Sequence, residues 1–344
     1  MNSSDGPCAV GSSRLDAGDG APRMTMVVLV VSDPLHACDP DGDTTLGLMA
    51  AALERGNRVW HTTAAGVELV GGTVRARARP VSRRGPDGRD APVLVESGDE
   101  SLLALADTDA VVVRPDPPVD AEYLAMTLLL ELARNETVIV NDPRGLREAN
   151  EKLYACRFPD LMPETIVSAD PATLLGFVEE HRAAVLKPLD GHGGRDVRLL
   201  VAGAPGTSDA IDGSTRGGRR AVMAQRFLPG VVDGDRRILL VDGAPLGVIR
   251  RRPPPGEFRA NIGLGALVDV VDLDDRDRRV VDGLARSLRA DGLWFVGIDV
   301  IDGCLSEVNV TSPTGLRQLT RLGGGRPDLE VIDRLQELVA AVGR

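Results

Sequence analysis

The amino-acid sequence predicts an α/β protein whose second half changes to an α+β, hairpin-rich style. Three observations support this prediction. The chain has 344 residues, of which 43% are apolar, so it can bury a substantial core in two or three domains. Up to residue 148, short apolar runs alternate with helical patterns, which is typical of a parallel sheet covered by helices. Beyond that point, short strands separated by Gly-containing turns favour antiparallel hairpins.

The composition excludes several functional classes. The formal net charge of −11 argues against a nucleic-acid-binding protein, because such domains are usually basic. No apolar run approaches the length of a transmembrane helix, so we expect no membrane partner. The four cysteines are too widely spaced for a zinc motif or a disulfide framework, and we interpret them as thiols of a cytoplasmic protein: Cys8, Cys38, Cys156 and Cys304.

Residues 1–23 differ from the rest of the chain. They are rich in Gly, Ser, Asp and Pro, and they lack the apolar segment of a secretory signal. We therefore expect a disordered tail ahead of the folded region.

Residues 24–148 are expected to form one α/β domain. The β-branched run "MTMVVLVVSDP" (24–34) predicts a buried first strand. Helical spacing of apolar residues follows over 44–59. Two further apolar runs, in 109–120 and 136–143, predict additional buried strands. Strands separated by helices imply a parallel sheet with helices on both faces.

The second half contains hairpin signals and two amphipathic helices. Asp-Gly in "LVDGAPL" and in "VIDGCL" indicates hairpins. The predicted helices cover 272–293, which opens with an acidic turn, and 327–342. We interpret 202–220 as a flexible surface loop. Residues 251–266 combine Pro and Gly with arginines. This mixture is typical of a loop that closes onto a binding site as a lid.

Lysine is almost absent from the chain. Of the 40 basic residues, only Lys152 and Lys187 are lysines. Lysine is a compact charge on a flexible stem, whereas arginine is a broad planar fork, so a pocket shaped around a phosphate can require the former. Lys187 precedes a turn containing Gly191, Gly193 and Gly194, which lets backbone N–H groups approach an anion. An ordinary turn remains the alternative, but the adjacent lysine favours phosphate binding.

Three oxygen-bearing side chains predict a magnesium site near the C-terminus. Glu307 and Asn309 are two residues apart, so they share one face of a strand. Asp299 lies within an apolar run, where an unpaired carboxylate is costly. Magnesium prefers such oxygens together with substrate phosphates. A solvated polar face is the alternative interpretation.

The magnesium prediction constrains the hairpin between these strands. A two-residue turn at Asp302-Gly303 in a regular hairpin would place Asp299 and Glu307 on opposite faces. We therefore predict a three-residue turn, 301–303, which returns both carboxylates to the same face.

Together these motifs resemble an ATP-grasp ligase, and more closely the prokaryotic glutathione synthetase family. Six motifs match in order between about residues 26 and 340: "RPDPPVD", "NEKLYA", "LKPLDGHGG", "DGDRRILLVDGAPL", "FRAN" and "LSEVNVTSPTG". The resemblance implies an N-terminal parallel-sheet domain followed by an ATP-grasp fold, in which two antiparallel-sheet subdomains clamp ATP. The implied boundaries are 24–148 for the N-terminal domain, 149–228 for the central lid subdomain and 229–344 for the C-terminal subdomain.

The resemblance also implies roles for individual residues. Those expected at ATP are Lys152, Lys187, Gly191, Gly193, Gly194, Gln225, Arg226, Phe227, Leu228 and Asp235. Those expected at the phosphoryl group or the substrate carboxylates, and so to be catalytic, are Arg237, Arg251, Arg259 and Asn261. Those expected on the peptide side are Arg114, Ser312 and Thr314. Those expected to hold two magnesium ions, which manganese can replace, are Asp299, Glu307 and Asn309.

The implied reaction joins γ-L-glutamyl-L-cysteine and glycine through an acyl phosphate, releasing ADP and phosphate, in a homotetramer. Phosphoryl transfer needs positioning and charge neutralisation rather than a protein nucleophile, so we expect no Ser-His-Asp set among the histidines. Two alternatives stay open: another ATP-grasp carboxylate–amine ligase with a different amine acceptor, and a non-catalytic ATP-binding regulatory protein. Pro115 stands where the family commonly has lysine, which keeps the first alternative open. Retention of both lysines and of all three metal ligands argues against the second.

Overall fold

A computed structural model describes residues 25–84 and 93–343. The tail predicted for residues 1–23 lies outside the described residues. The architecture is α/β, with three sheets that follow one another along the chain. None of the helices in the described ranges is long and apolar enough to cross a membrane. The predicted boundaries at residues 148 and 228 stay predictions, although each lies between two sheets.

The first sheet is mixed rather than purely parallel. Its strands are β1 (Val27–Ser32), β2 (Arg58–Thr62), β3 (Val67–Val70), β4 (Thr73–Arg84), β5 (Val93–Glu96), β6 (Ser101–Ala104), β7 (Ala110–Arg114) and β8 (Val138–Val140). As predicted, β1, β7 and β8 run parallel. Strand β2, which begins inside the predicted helix 44–59, was not predicted and pairs with β1 in the same direction. The antiparallel strands β3 to β6 were missed. The sequence of β4 does carry the pattern of a strand, because small apolar residues alternate with arginines and their side chains are buried.

Three helices accompany this sheet: α1 (Thr44–Glu54), α2 (Ala121–Leu132) and α3 (Pro143–Glu148). Each begins at an aspartate whose side chain accepts hydrogen bonds from the first-turn N–H groups. Helix α1 is shorter than the predicted 44–59, because the chain turns after Glu54 and enters β2 at Arg58.

The second sheet is antiparallel and has its own core. Its strands, in the order β11-β10-β12-β9, are β9 (Thr165–Ser168), β10 (Ala183–Pro188), β11 (Arg198–Val201) and β12 (Val222–Arg226). Helices α4 (Pro171–His181) and α5 (Thr207–Thr215) cover one face. The interpretation of 202–220 as a loop was therefore wrong. Helix α5 forms because Ile211 is buried in this core, although polar residues surround it in the sequence.

The third sheet is also antiparallel and has the order β15-β14-β13-β16-β17. Its strands are β13 (Asp235–Val241), β14 (Ala244–Arg252), β15 (Leu267–Val271), β16 (Phe295–Ile301) and β17 (Cys304–Asn309). The helices of this region are α6 (Asp275–Ala290), α7 (Leu316–Arg321) and α8 (Pro327–Ala341). The two predicted amphipathic helices correspond to α6 and α8, and Asp274 with Asp277 forms a capping box at the start of α6.

The first and third sheets share their cores, whereas the second sheet does not. Two clusters of buried residues run from β1 and β7 into β13 and β16. Asn141 ties the same two sheets together: its Nδ2 donates to Phe295 O at 2.9 Å and to Val310 O at 2.8 Å, and its Oδ1 accepts from Phe295 N at 2.7 Å. The second sheet therefore forms a separate layer, and its border with the third sheet is a natural place for a cleft.

Candidate active site

A cleft with about 850 Å³ of empty space lies between the second and third sheets. It brings together most of the residues that the sequence singled out. The predicted residues that line it are Lys152, Lys187, Gly191, Gly193, Gly194, Gln225, Arg226, Phe227, Leu228, Asp235, Arg259, Asn261, Asp299 and Glu307. The predicted residues outside its lining are Arg114, Arg237, Arg251, Asn309, Ser312 and Thr314.

The two lysines lie on the cleft wall and contact the third sheet. Lys152 Nζ donates to Gly191 O at 2.5 Å and lies 2.9 Å from Glu307 Oε1. Lys187 Nζ donates to the hydroxyl of Ser306 at 2.9 Å, a neutral partner. Burial lowers the pKa of Lys187, and the charge of Glu307 opposes that shift. A partly buried ammonium paired to a hydroxyl can accept an additional anion without displacing a carboxylate.

The glycine turn, residues 191–194, packs closely against the predicted lid. Gly193 and Gly194 have φ angles of 63° and 75°, which favour glycine. A Cβ atom on Gly194 would lie 2.4 Å from Asn261 Oδ1. Arg259 Nη1 donates to Gly194 O at 3.2 Å, and the Arg259 guanidinium is also bound by Glu257. The predicted lid therefore contacts the glycine turn directly.

The predicted lid is shorter than 251–266. Strand β14 extends through Arg252, so Arg251 belongs to the third sheet rather than to a loop. Its side chain is 3% exposed. Strand β15 begins at Leu267, which leaves residues 253–266 as the irregular segment.

The hairpin that carries the proposed metal ligands differs from the prediction. Ile301 pairs with Cys304, so Asp302-Gly303 is a two-residue turn, and the predicted three-residue turn was wrong. The register shifts instead inside the strands, where Val300 pairs with Leu305 but Asp299 pairs with Glu307. Ser306 is the extra residue of this β-bulge. Directly paired residues share a face of the sheet, so the carboxylates lie together, as the metal prediction requires.

Asp299 is held by two arginines. Arg237 contacts it through Nε–Oδ1 at 2.5 Å and Nη2–Oδ2 at 3.0 Å. Arg251 Nη2 lies 3.0 Å from Asp299 Oδ1 and 2.5 Å from Asp235 Oδ2. Burial opposes the charged form, but the two arginines outweigh burial and lower the pKa of Asp299. Arg237 and Arg251 thus point to carboxylates rather than into the open cleft.

The donor set suits a hard cation that also binds phosphate. Asn309 Nδ2 donates to Gly297 O at 3.2 Å and lies 3.4 Å from Asp299 Oδ2, which leaves its amide oxygen as the atom suited to a metal. Across residues 25–84 and 93–343, no three His, Cys, Asp or Glu side chains cluster as a metal site. Two carboxylates and one amide oxygen fit magnesium, which takes few protein ligands and relies on phosphate and water.

Arg114, expected on the peptide side, is buried at the end of β7 with 3% exposure. Its Nε donates to Thr45 Oγ1 at 3.3 Å and its Nη2 to Pro313 O at 3.0 Å. Its Nη1 is buried without a partner. Burial lowers the pKa of Arg114. Ser312 and Thr314 flank Pro313, so the three predicted residues lie near one another but outside the cleft.

Several cleft residues were missed or discounted from the sequence. Ser306 and Phe258 were not singled out, and His192 was given no role; all three line the cleft. The only sequence signal for Ser306 was its own polar side chain, directly before Glu307. In a regular strand its side chain would face away from Glu307, and only the bulge brings it into the cleft.

The structure also contains a Ser-His-Glu cluster that the sequence analysis did not expect. His61 Nε2 lies 3.1 Å from Ser32 Oγ, and His61 Nδ1 lies 2.5 Å from Glu96 Oε1. Ser32 is 2% exposed and lies outside the cleft lining. A buried hydroxyl with no access for substrate is a structural hydrogen-bond partner at the ends of β1 and β2.

Two models of one protein family match this chain. Residues 26–147 match the prokaryotic glutathione synthetase N-terminal domain, and residues 151–324 match the ATP-grasp domain of the same family. The chain is 42% identical over 320 residues to the glutathione synthetase of Synechococcus elongatus, which covers 91% of this chain and 99% of that protein. It is 42% identical over 298 residues to the glutathione synthetase of Xanthomonas axonopodis, covering 86% and 93%.

Solved structures with lower sequence identity share the fold. The D-cycloserine synthetase DcsG superposes with a TM-score of 0.63 at 18% identity, covering 91% of this chain and 99% of that one. The ATP-grasp ligase PsnB, complexed with a phosphomimetic variant of its minimal precursor, Mg and ADP, gives a TM-score of 0.61 at 18% identity, covering 92% and 99%. At this identity the likeness concerns the fold alone.

Proposed function

Because this chain belongs to the prokaryotic glutathione synthetase family of ATP-grasp ligases and has glutathione synthetase activity, we propose that the cleft between the second and third sheets carries out that reaction. This reaction uses ATP and Mg²⁺. The observation that supports the proposal most strongly is the convergence of both lysines with the paired carboxylates Asp299 and Glu307 in one cleft.

The reaction forms and breaks two bonds in turn. A carboxylate oxygen of γ-glutamylcysteine attacks the γ-phosphorus of ATP, and ADP leaves. The glycine amine then attacks the activated carbonyl carbon, phosphate leaves with the bonding electrons, and the amine loses a proton. These steps need charge neutralisation and alignment of the reacting atoms, and no protein nucleophile.

The nucleotide would lie on the second-sheet side of the cleft. Lys152 and Lys187 would bind its phosphates as point charges. The glycine turn at Gly191, Gly193 and Gly194 would cover them with backbone N–H groups. The stretch from Gln225 to Leu228, at the end of β12, would contact adenine, with Asp235 nearby.

Glu307, Asn309 and Asp299 would hold magnesium, and we propose two ions, with manganese as a substitute. When bound, the metal neutralises phosphate charge and polarises the phosphoryl oxygens. The contacts of Asp299 suggest a further role for Arg237 and Arg251. They would keep the carboxylate ionised and hold its orientation. Arginines also bind phosphoryl and carboxylate oxygens, so Arg237 and Arg251 would contribute positive charge beside the reacting groups.

The lid residues Arg259 and Asn261 would stabilise the charge that develops during transfer. Arg259 already bridges the lid and the glycine turn. On the other side, Arg114, Ser312 and Thr314 would receive the peptide, and the unpartnered Nη1 of Arg114 is suited to a carboxylate oxygen.

We propose that the protein is a homotetramer and that it is located in the cytoplasm. Helix α2 supports self-association, because Leu124, Leu128 and Leu132 recur every fourth residue and are 37%, 54% and 59% exposed. Light scattering of the purified protein tests the assembly, and Leu128→Glu should shift it towards smaller species.

The direct test is formation of glutathione by the purified protein with ATP, Mg²⁺, γ-glutamylcysteine and glycine, followed by mass spectrometry and ADP release. Omitting glycine, or replacing it with alanine or β-alanine, defines the amine acceptor. We expect glycine to support the fastest ADP release. ADP release that does not depend on the dipeptide would contradict the proposal.

A further inference from the structure

Glu151 is a partly buried residue whose carboxylate the proposed reaction does not use. Its Oε1 accepts hydrogen bonds from Val310 N at 3.0 Å, Thr311 N at 3.2 Å and Thr311 Oγ1 at 2.8 Å. Its backbone oxygen accepts from Val308 N at 3.0 Å. Burial, and then the charge of Glu307, raise the pKa of Glu151. All three partners of the carboxylate are neutral, so its partial removal from water carries a cost that calls for a structural or functional reason.

The partners of Glu151 are the groups that the third sheet leaves unpaired. Strand β17 ends at Asn309, whose pairing with Gly297 is the last in its register with β16. The N–H groups of Val310 and Thr311 lie beyond that pair, and both residues are buried. Buried N–H groups need acceptors. The Glu151 carboxylate therefore accepts the hydrogen bonds of the first two N–H groups after β17, and it fixes the backbone at this position.

The segment fixed in this way connects the two sides of the site. It follows Asn309, a proposed metal ligand, and leads into Ser312 and Thr314 on the proposed peptide side. Pro313 O accepts from Arg114 Nη2 at 3.0 Å, so the same segment also reaches the first sheet. A shift in residues 310–314 would therefore move the peptide side relative to the metal.

We propose that Glu151 is a positioning residue: its carboxylate fixes residues 310–314 and so sets the place of the dipeptide relative to the nucleotide. The inference rests on the proposed function, specifically on Ser312 and Thr314 facing the peptide. The next residue, Lys152, acts on the nucleotide side through Gly191 and Glu307. Two adjacent residues of the chain, Glu151 and Lys152, thus contact the peptide side and the nucleotide side of the proposed site.

Glu151→Gln tests the inference, because glutamine keeps the size and one acceptor oxygen but loses the charge. Charged acceptors form stronger hydrogen bonds, so we expect kcat/KM for the dipeptide to fall about tenfold. The Kd of ATP with Mg²⁺, measured without dipeptide, should change by less than a factor of about 2, since both lysines are untouched. A merely structural role would lower the melting temperature without this difference between the substrates.

Glu148→Gln is the matched control, because Glu148 is exposed and contacts Arg144 in an ion pair on the surface. Its kinetic constants should equal those of the wild type. Thr311→Val, which removes one donor, should change dipeptide kcat/KM in the same direction by about threefold, and it decides the question if Glu151→Gln does not fold.

An unchanged dipeptide kcat/KM in folded Glu151→Gln, or in Thr311→Val when the former does not fold, would overturn the inference. So would a parallel loss of ATP affinity, which would assign Glu151 to the nucleotide side. The wild-type reaction is measured first. Failure of the wild type to make glutathione refutes the proposed function itself, and is thereby distinguished from failure of this inference.

Discussion

Lys187 on the second sheet donates a hydrogen bond to Ser306 on the third sheet, with 2.9 Å between Nζ and Oγ. This contact crosses the cleft and depends on the β-bulge that turns Ser306 inward. It also leaves the Lys187 ammonium without a carboxylate in its hydrogen bond. We interpret the pair as a phosphate site in which the hydroxyl orients the lysine and the phosphate supplies the charge.

Replacing Lys187 by arginine should weaken ATP binding although the charge is kept. The planar guanidinium is broader than an ammonium, and the single hydroxyl of Ser306 does not match its fork of donors. We expect the Kd of ATP, measured by calorimetry, to rise at least about tenfold, or about 1.4 kcal/mol. Lys152→Arg should change it in the same direction. Arg198→Lys, an exposed exchange on the same sheet, is the control. Normal ATP binding by Lys187→Arg would refute the argument from rare lysine.

Ser306→Ala should weaken ATP binding less than the lysine substitution does. The change removes one hydrogen bond to a charged group, and the lower end of the usual contribution, about 1.5 kcal/mol, corresponds to roughly tenfold in Kd. Ser306→Thr keeps the hydroxyl and should remain close to the wild type. If alanine and threonine variants bind ATP equally well, Ser306 does not orient Lys187.

Gly194→Ala should disturb contact between the glycine turn and the lid. The added Cβ would meet Asn261 Oδ1 at 2.4 Å, and the φ angle of 75° disfavours alanine. Gly256→Ala is a matched control, because its φ angle of 83° has a similar backbone cost but its Cβ would meet nothing within 4 Å. We expect kcat to fall by about tenfold more in the first variant than in the second. Equal losses in both would mean that the close approach to Asn261 is unimportant.

Arg259→Ala should reduce turnover more than ATP affinity. Arg259 contacts the glycine turn through Gly194 O and is paired with Glu257, and in the proposed reaction it would stabilise the charge of the transferred phosphoryl group. Proteolysis of residues 253–266 should also slow when nucleotide and dipeptide are both added, because the lid is then held from both sides. If cutting is unaffected by both substrates, or if ATP affinity falls as much as kcat, the lid assignment is wrong.

The sequence predicted the parallel strands β1, β7 and β8 because each is a buried apolar run. It did not reveal α5, since a single buried isoleucine, Ile211, holds that helix to its core. Tertiary packing overrides local propensity in such a segment. The antiparallel strands β3 to β6 were overlooked because arginines alternate with small residues in β4 and make the pattern look polar.

The candidate site was predictable in its residues but less so in its contacts. The rarity of lysine and the position of Glu307 indicated residues that line the cleft, and the magnesium site stays a prediction. The correct conclusion that Asp299 and Glu307 share a face came from a wrong turn, because a bulge within a strand leaves no clear mark in the sequence. The ion pairs of Asp299 with Arg237 and Arg251 join separate strands, β13, β14 and β16, so their register had to be known first.

The central claim is that the dipeptide carboxylate is phosphorylated in the cleft before the amine attacks. γ-Glutamylcysteine labelled with ¹⁸O in its cysteine carboxylate tests this most directly, with the released phosphate analysed by mass spectrometry. In an acyl-phosphate reaction the bridging oxygen leaves with phosphorus, so each turnover should place one label in inorganic phosphate. Unlabelled phosphate, formed at the same rate as glutathione, would contradict the account.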